Sequence, residues 1–164
     1  SCGDGVYKTI DGGKHWKNMG LRQSRQIGDI EIDPRNPNVV YVAAEGSVWG
    51  SGGDRGLFKT IDGGKSWKKI LNISENTGVK NIAMDPVNPD IIYVSSSQRR
   101  RHTNIRIGGG PEVAIYKTED AGKTWRKLTN GLPKVDKGGI DIAVSPIDHN
   151  IVYAIVEVAE GKGG

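Results

Sequence analysis

Cysteine is nearly missing from this chain. Cys2 is the one thiol in 164 residues, so no internal disulfide framework and no cysteine-based metal site is available. The three histidines, His15, His102 and His149, lie far apart and lack ligand spacing. No metal and no cofactor is therefore expected. No run of about 18 apolar residues exists to insert in a membrane as a helix. No segment carries a sustained helical stripe either, which argues against a helical fold. Phenylalanine occurs once, so a core must rest on Val, Ile and the four tryptophans. Charge of one sign is not concentrated: the net charge is +4, with Lys and Arg spread along the chain, and no nucleic-acid partner is expected.

What the chain does have is glycine, 24 residues of it, and repetition. The stretch "KTIDGGKHW" at Lys8–Trp16 returns as "KTIDGGKSW" at Lys59–Trp67 and as "KTEDAGKTW" at Lys117–Trp125, at offsets of 51 and 58 residues. A second motif keeps step with it: "DIEIDPRNPNVVYVAAEG" from Asp29, "NIAMDPVNPDIIYVSSSQ" from Asn81 and "DIAVSPIDHNIVYAIVEV" from Asp141. Two unlike motifs in one phase indicate a structural unit of about 50 residues.

Each unit reads as four short strands. "IGDIEID" alternates with period two and ends in a Pro-Asn turn. "VVYVA" is apolar on both sides, "GLFKT" leads into the Asp-Gly turn, and "SWKKIL" follows it. Strands apolar on both sides need cover on both faces. Four-stranded sheets repeating at this period predict an all-β fold, a β-propeller segment of antiparallel blades. On this reading residues 1–20 hold the second half of a blade, 27–71 and 79–128 are complete blades, and 138–158 hold the first half of another. The expected partners are the remaining blades of a longer polypeptide or another copy of the chain, and exposed terminal strands predict self-pairing of the excised segment.

The Asp-Gly turn has a structural reading and a chemical one. Between antiparallel strands, an Asp accepts hydrogen bonds from amides two or three residues on, and a glycine supplies positive φ. The third copy has Ala121 where the others have glycine, while Gly13, Gly64 and Gly122 remain. That pattern predicts positive φ at the second position only. The closing Trp16, Trp67 and Trp125 are expected to bury a ring against the neighbouring blade. Read chemically, Asp11, Asp62 and Asp120 would be catalytic acids or calcium ligands. One acid per blade leaves each without a second carboxylate, which favours the structural reading.

Thr-x-Asp-x-Gly-x-x-Trp, present at Thr9–Trp16, Thr60–Trp67 and Thr118–Trp125, resembles the Asp-box of the BNR repeat. With its Asp-Pro-x-Asn-Pro partner, the chain is similar over nearly its whole length to large Asp-box proteins of sortilin-like and glycosyl-hydrolase-like type. The resemblance implies a β-propeller in which the Asp-box is a turn remote from ligand. It does not choose among enzymes, receptors and scaffolds.

Strand order puts the Pro-Asn and Asp-box turns on one face and the loops of variable length on the other. Two insertions fall on that second face: 45–56, carrying Trp49, and 97–114, carrying Arg99, Arg100, Arg101, His102 and Arg106. These six are the candidate ligand-binding residues, an exposed indole beside guanidiniums able to grip carboxylates or phosphates. No catalytic residue is assigned. Glycosidases need two carboxylates roughly 5–10 Å apart, and Asp29 and Asp141, at equivalent strand starts, sit two blades apart. The expected function is binding or scaffolding, with a glycan or protein ligand, in an extracellular or periplasmic setting. Part of a glycoside hydrolase, with acids outside this chain, is the alternative. An assembly factor for a membrane complex is the third reading.

Overall fold

A computed structural model describes residues 3–158. Strand β1 (Tyr7–Lys8) pairs with β2 (Lys17–Asn18) across the first Asp-Gly turn. After a short 3-10 turn at Arg22–Ser24 come β3 (Ile27–Ile32), β4 (Val40–Ala44), β5 (Gly56–Thr60) and β6 (Lys68–Leu71). These four hydrogen-bond in sequence order as one antiparallel sheet. Next are β7 (Thr77–Met84) and β8 (Ile92–Gln98), then a separate hairpin of β9 (Arg100–Arg101) and β10 (Arg106–Ile107). Strands β11 (Ile115–Thr118) and β12 (Arg126–Leu128) complete the second four-stranded sheet, in the order β7-β8-β11-β12. Last comes the pair β13 (Lys137–Val144) and β14 (Val152–Val158). The fold is that of a β-propeller segment, as the repeat predicts.

The apolar second strand explains why the sheets stack. In β4, Tyr41 and Ala43 point forward into a cluster with Leu57 and Leu71 of their own sheet and Val79, Ile82, Ile92 and Val94 of the next. Val42 and Ala44, on the opposite face, meet Phe58 and the preceding Val6 and Leu21. A third cluster joins Ala83, Val113 and Ile115 to Ile140 and Ile142 of β13. Each four-stranded sheet thus packs on both faces, and the core is a series of layers between sheets. At about 25 cal/mol per Å² of apolar area removed from water, these layers are the main favourable term.

Three details depart from the sequence reading. Trp16, expected to bury its ring as Trp67 and Trp125 do, is 60% exposed, because no preceding sheet lies against it among the described residues. The insertion 97–114 holds the β9–β10 hairpin where only loop was expected. The Asp-Gly turn also needs positive φ at both of its glycine positions: Gly12, Gly63 and Ala121 stand at φ 71°, 72° and 57°, and Gly13, Gly64 and Gly122 at 93°, 91° and 87°. The alanine was misleading, because a non-glycine residue can hold the left-handed region at a modest cost. In the third box packing adds to the need for glycine at the second position. A Cβ on Gly122 would come within 2.5 Å of Ile70 Cδ1 in the preceding sheet, whereas one on Gly12 would meet nothing within 4 Å.

Candidate functional site

The three Asp-boxes repeat one hydrogen-bond pattern. Thr60 Oγ1 donates to Asp62 Oδ1 (2.7 Å) and accepts from the amide of Gly64 (3.0 Å). Asp62 Oδ1 also accepts from the amides of Lys65 (2.9 Å) and Ser66 (3.0 Å), and Ser66 Oγ donates to Oδ2 at 2.6 Å. Thr118, Asp120, Lys123 and Thr124 reproduce these contacts in the third box. In the first, Thr9 and the amide of His15 hold Asp11 Oδ1 while the His15 ring takes Oδ2 at 2.6 Å. Each carboxylate is thus engaged at both oxygens by groups of its own turn. The boxes fasten the hairpins.

Those hydrogen bonds depress all three acids. The His15 amide and ring, with Thr9, bring Asp11 to about 2. The hydroxyls of Ser66 and Thr60 hold Asp62 well below the usual carboxylate range, and those of Thr124 and Thr118, with the Thr124 amide, do the same for Asp120. A pKa lower in the folded than in the unfolded chain contributes stability above the unfolded value, near 3.8, and loses it as pH falls toward the folded value. The melting temperature is therefore expected to fall steeply below pH 4. An Asp62→Asn, Asp120→Asn chain should start lower at pH 7 and show a shallower acid slope. Equal slopes in thermal melts from pH 6 to pH 2 would remove the boxes as the cause.

The rest of the regular face is fastening too. Buried Asp33 holds Arg35, whose guanidinium also reaches Asp90 of the next sheet at 2.6 Å. Asp85, also buried, takes the His149 ring from the unit after it at 2.8 Å. Lys59 Nζ donates to the Ala121 carbonyl, and Lys8 Nζ to that of Gly63. On the inner strands, a bulge next to Asp29 and another next to Asn81 break the register. Each lets the side chain reach across to the neighbouring first strand. Asp29 Oδ2 accepts from the Ile82 amide (2.9 Å) and from Asn81 Nδ2 (3.2 Å), and Asn81 Oδ1 accepts from the Ile142 amide (3.1 Å). These equivalent positions stitch one sheet to the next.

On the opposite face the two insertions meet: the Arg101 amide donates to the Val48 carbonyl at 2.8 Å. Arg55, only 2% exposed, organises the first of them. Its Nη1 donates to the carbonyl of Glu45 (2.6 Å) and to that of Asn76 (3.4 Å), and its Nη2 to those of Ser47 (2.7 Å) and Gly50 (3.0 Å). Glu45 in turn receives Ser97 Oγ at 2.8 Å and lies 3.5 Å from Arg99. Glu112 accepts from Ser74 and Thr77 and anchors the far end of the second insertion.

Of the candidate residues, Arg99 and Arg106 come together on a polar cavity of about 500 Å³, with Lys80, Ser96, Ser97 and Glu157 in its wall. Lys80 is paired with Asp141 at 2.9 Å, while Arg106 has no carboxylate partner among the described residues. Arg100 donates instead to Asn76 and, with Arg99 and His102, lines a smaller recess of about 280 Å³. Arg101 is exposed and lines neither. Trp49 stands 61% exposed beside the junction of the insertions.

A family model described as Sortilin, neurotensin receptor 3 (Sortilin-Vps10) matches residues 4–160. The chain belongs to the Sortilin-Vps10 family. No curated protein matches it. Among solved structures, an ancestral GH74 enzyme superposes with a TM-score of 0.68 at 19% identity, over 94% of this chain and 19% of that one. The GH74 xyloglucanase from Xanthomonas campestris gives 0.64 at 16% identity, over 92% of this chain and 23% of that one. The Sortilin-Vps10 chain thus spans about a fifth of the length of these structures, and at such identities the likeness is one of fold.

Sequence reasoning missed Arg55, Glu45, Lys80 and Glu112 in this Sortilin-Vps10 segment. An arginine inside a glycine-rich loop, at "GGDRG", was the available signal for the first, because a flexible loop held in one shape needs an anchor. The others carried none. Among the described residues, no helix is long and apolar enough to cross a membrane.

Proposed function

We propose that this chain is a non-catalytic binding or scaffold segment of a large, exported Asp-box propeller, with its ligand face built by insertions 45–56 and 97–114. The observation that carries this reading is the polar cavity lined by Lys80, Arg99 and Arg106: Lys80 is paired with Asp141 and Arg99 lies near Glu45, while Arg106 has no carboxylate partner among the described residues. Guanidiniums around a wet polar cavity suit a carboxylate-bearing ligand, either an acidic glycan or an acidic protein segment. The carboxylates of the regular face are consumed in fastening, and Asp29 is consumed in the stitch. These acids are therefore not offered as a pair for glycoside hydrolysis.

Calorimetric titration with a uronic-acid oligosaccharide and with an acidic peptide tests the site. The Arg99→Ala, Arg106→Ala chain is expected to lose at least tenfold in affinity for the one that binds, with the remaining binding weakened further by salt. Unchanged affinity would overturn the assignment. A second reading, part of a glycoside hydrolase whose acids lie outside this chain, draws on the likeness of fold to GH74 enzymes. Turnover of xyloglucan or another β-glucan by the full-length polypeptide would favour it over the binding role.

A further inference from the structure

The smaller recess on the insertion face is left unused by the functional reading. It measures about 280 Å³ and is lined by Asn76, Gln98, Arg99, Arg100, His102 and Ile107, with no carboxylate in its wall. These residues come from the approach to β7, the end of β8 and the β9–β10 hairpin, in the middle of the chain and away from its first and last strands.

Two guanidiniums in the recess are held from behind. The Asn76 amide donates to Ser74 Oγ at 3.1 Å and its carbonyl accepts from Arg55 at 3.4 Å, so that its side-chain Oδ1 stands ready for Arg100. Arg99 lies 3.5 Å from Glu45, whose carboxylate also receives Ser97 Oγ. The charges of this cluster do not balance. Arg55, Arg99 and Arg100 share one carboxylate, that of Glu45. Burial and then the charge of Arg100 lower the pKa of Arg55, and Glu45 raises it, so the groups feel one another.

An anion is what the cluster lacks, and the donors indicate its kind. A carboxylate offers two oxygens in one plane. Here Arg99 and Gln98 stand at the end of β8, Arg100 in β9 and His102 in the hairpin turn. Gln98 spends its Oε1 on the Glu112 amide at 3.4 Å, which leaves its Nε2 as a donor. Donors on separate segments suit the three terminal oxygens of a sulfate or phosphate ester better than the two of a carboxylate.

We propose that this recess takes the sulfate ester of an acidic, sulfated glycan. Arg99 lines both this recess and the cavity that holds Arg106, so a sulfate and a carboxylate on neighbouring sugar units bind on either side of one guanidinium. Trp49 favours a sugar over a peptide as their carrier. It follows Val48, whose carbonyl accepts the Arg101 amide, and it is 61% exposed, with Gly50 and Gly52 facing open space. Its flat apolar face suits a sugar ring. The sulfate site stands on its own residues, while the uronic part of the ligand rests on the functional reading.

Calorimetric titration of the 164-residue chain with a sulfated uronic-acid oligosaccharide, and with the same oligosaccharide after desulfation, tests it. The sulfated form is expected to bind about tenfold more tightly, the effect of one charge-assisted hydrogen bond. In an Arg100→Gln, His102→Ala chain of unchanged circular dichroism the two forms should bind alike, with the desulfated form as tight as before. Arg106→Ala should weaken both forms and leave their ratio, so a failure of the carboxylate cavity shows separately. Equal affinity of the two forms for the unmodified chain would overturn the proposal, as would a ratio that survives Arg100→Gln, His102→Ala. Tighter binding of a phosphoserine peptide than of the sulfated sugar would overturn the choice of a glycan. Binding of neither sugar would overturn it too, and an acidic peptide that still bound would then leave the functional reading standing.

Discussion

Replacing Arg55 with Met is expected to destabilise the chain by about 3 kcal/mol and to open the insertion 45–56 to protease. The four carbonyls that the guanidinium serves come from two segments of chain, Glu45, Ser47 and Gly50 from the first insertion and Asn76 from the start of β7. Each buried acceptor left without a donor costs about 1–3 kcal/mol, and part of the loop can swing out to recover water. The sum is therefore less than four full penalties. In a chain of this size such a loss lowers the melting temperature by roughly 6–12 °C. Arg55→Lys keeps the charge but not the fork, and should recover under half of the loss. The consequence for function is indirect. Glu45 holds Ser97 and Arg99, so a loosened first insertion also frees the wall of the cavity. Ligand affinity is expected to fall in Arg55→Met although Arg55 touches no ligand. Cleavage within 45–56 by a protease of broad specificity, absent in the unmodified chain, is the direct readout. An unchanged melting temperature together with an uncut loop would show that the carbonyls find other donors.

The fold was legible because its information is local and repeated. Period-two alternation in "IGDIEID", doubly apolar "VVYVA" and three copies of one turn each point to the same unit. The fastening role of Asp11, Asp62 and Asp120 followed from their isolation, and the hydrogen bonds supply the detail. The ligand face was harder to read, since its partners come from distant segments. Nothing in "SQRRRH" says that Arg100 turns to Asn76 while Arg99 turns to Glu45. The adjacent cations look alike in sequence, and only their distant partners distinguish them. Ala121 misled for a related reason. A left-handed alanine is tolerated when the hydrogen bonds around it hold the turn, and those bonds depend on Thr118 and Asp120 rather than on the alanine itself.

The three box tryptophans should differ sharply when truncated, although their motif is the same. Trp125 packs against the cluster between the two four-stranded sheets, with Gly122 giving its hairpin room over Ile70. Trp67 donates its indole N–H to the Met19 carbonyl at 2.7 Å and joins the layer of Val6, Leu21 and Phe58. Alanine at either position is expected to cost about 3–5 kcal/mol, the range for removing a large aromatic ring from a packed layer. Trp67→Ala should in addition release residues 3–20 from the sheet behind them. Trp16 has no preceding sheet among the described residues. It is 60% exposed, and its indole N–H is used locally on the Gly13 carbonyl. Trp16→Ala should therefore change the stability of a single chain by under about 0.5 kcal/mol. Denaturant melts at low protein concentration would rank the three as Trp125 and Trp67 far above Trp16. Equal costs at all three positions in the single chain would mean that the ring stabilises its own hairpin and not the contact between units.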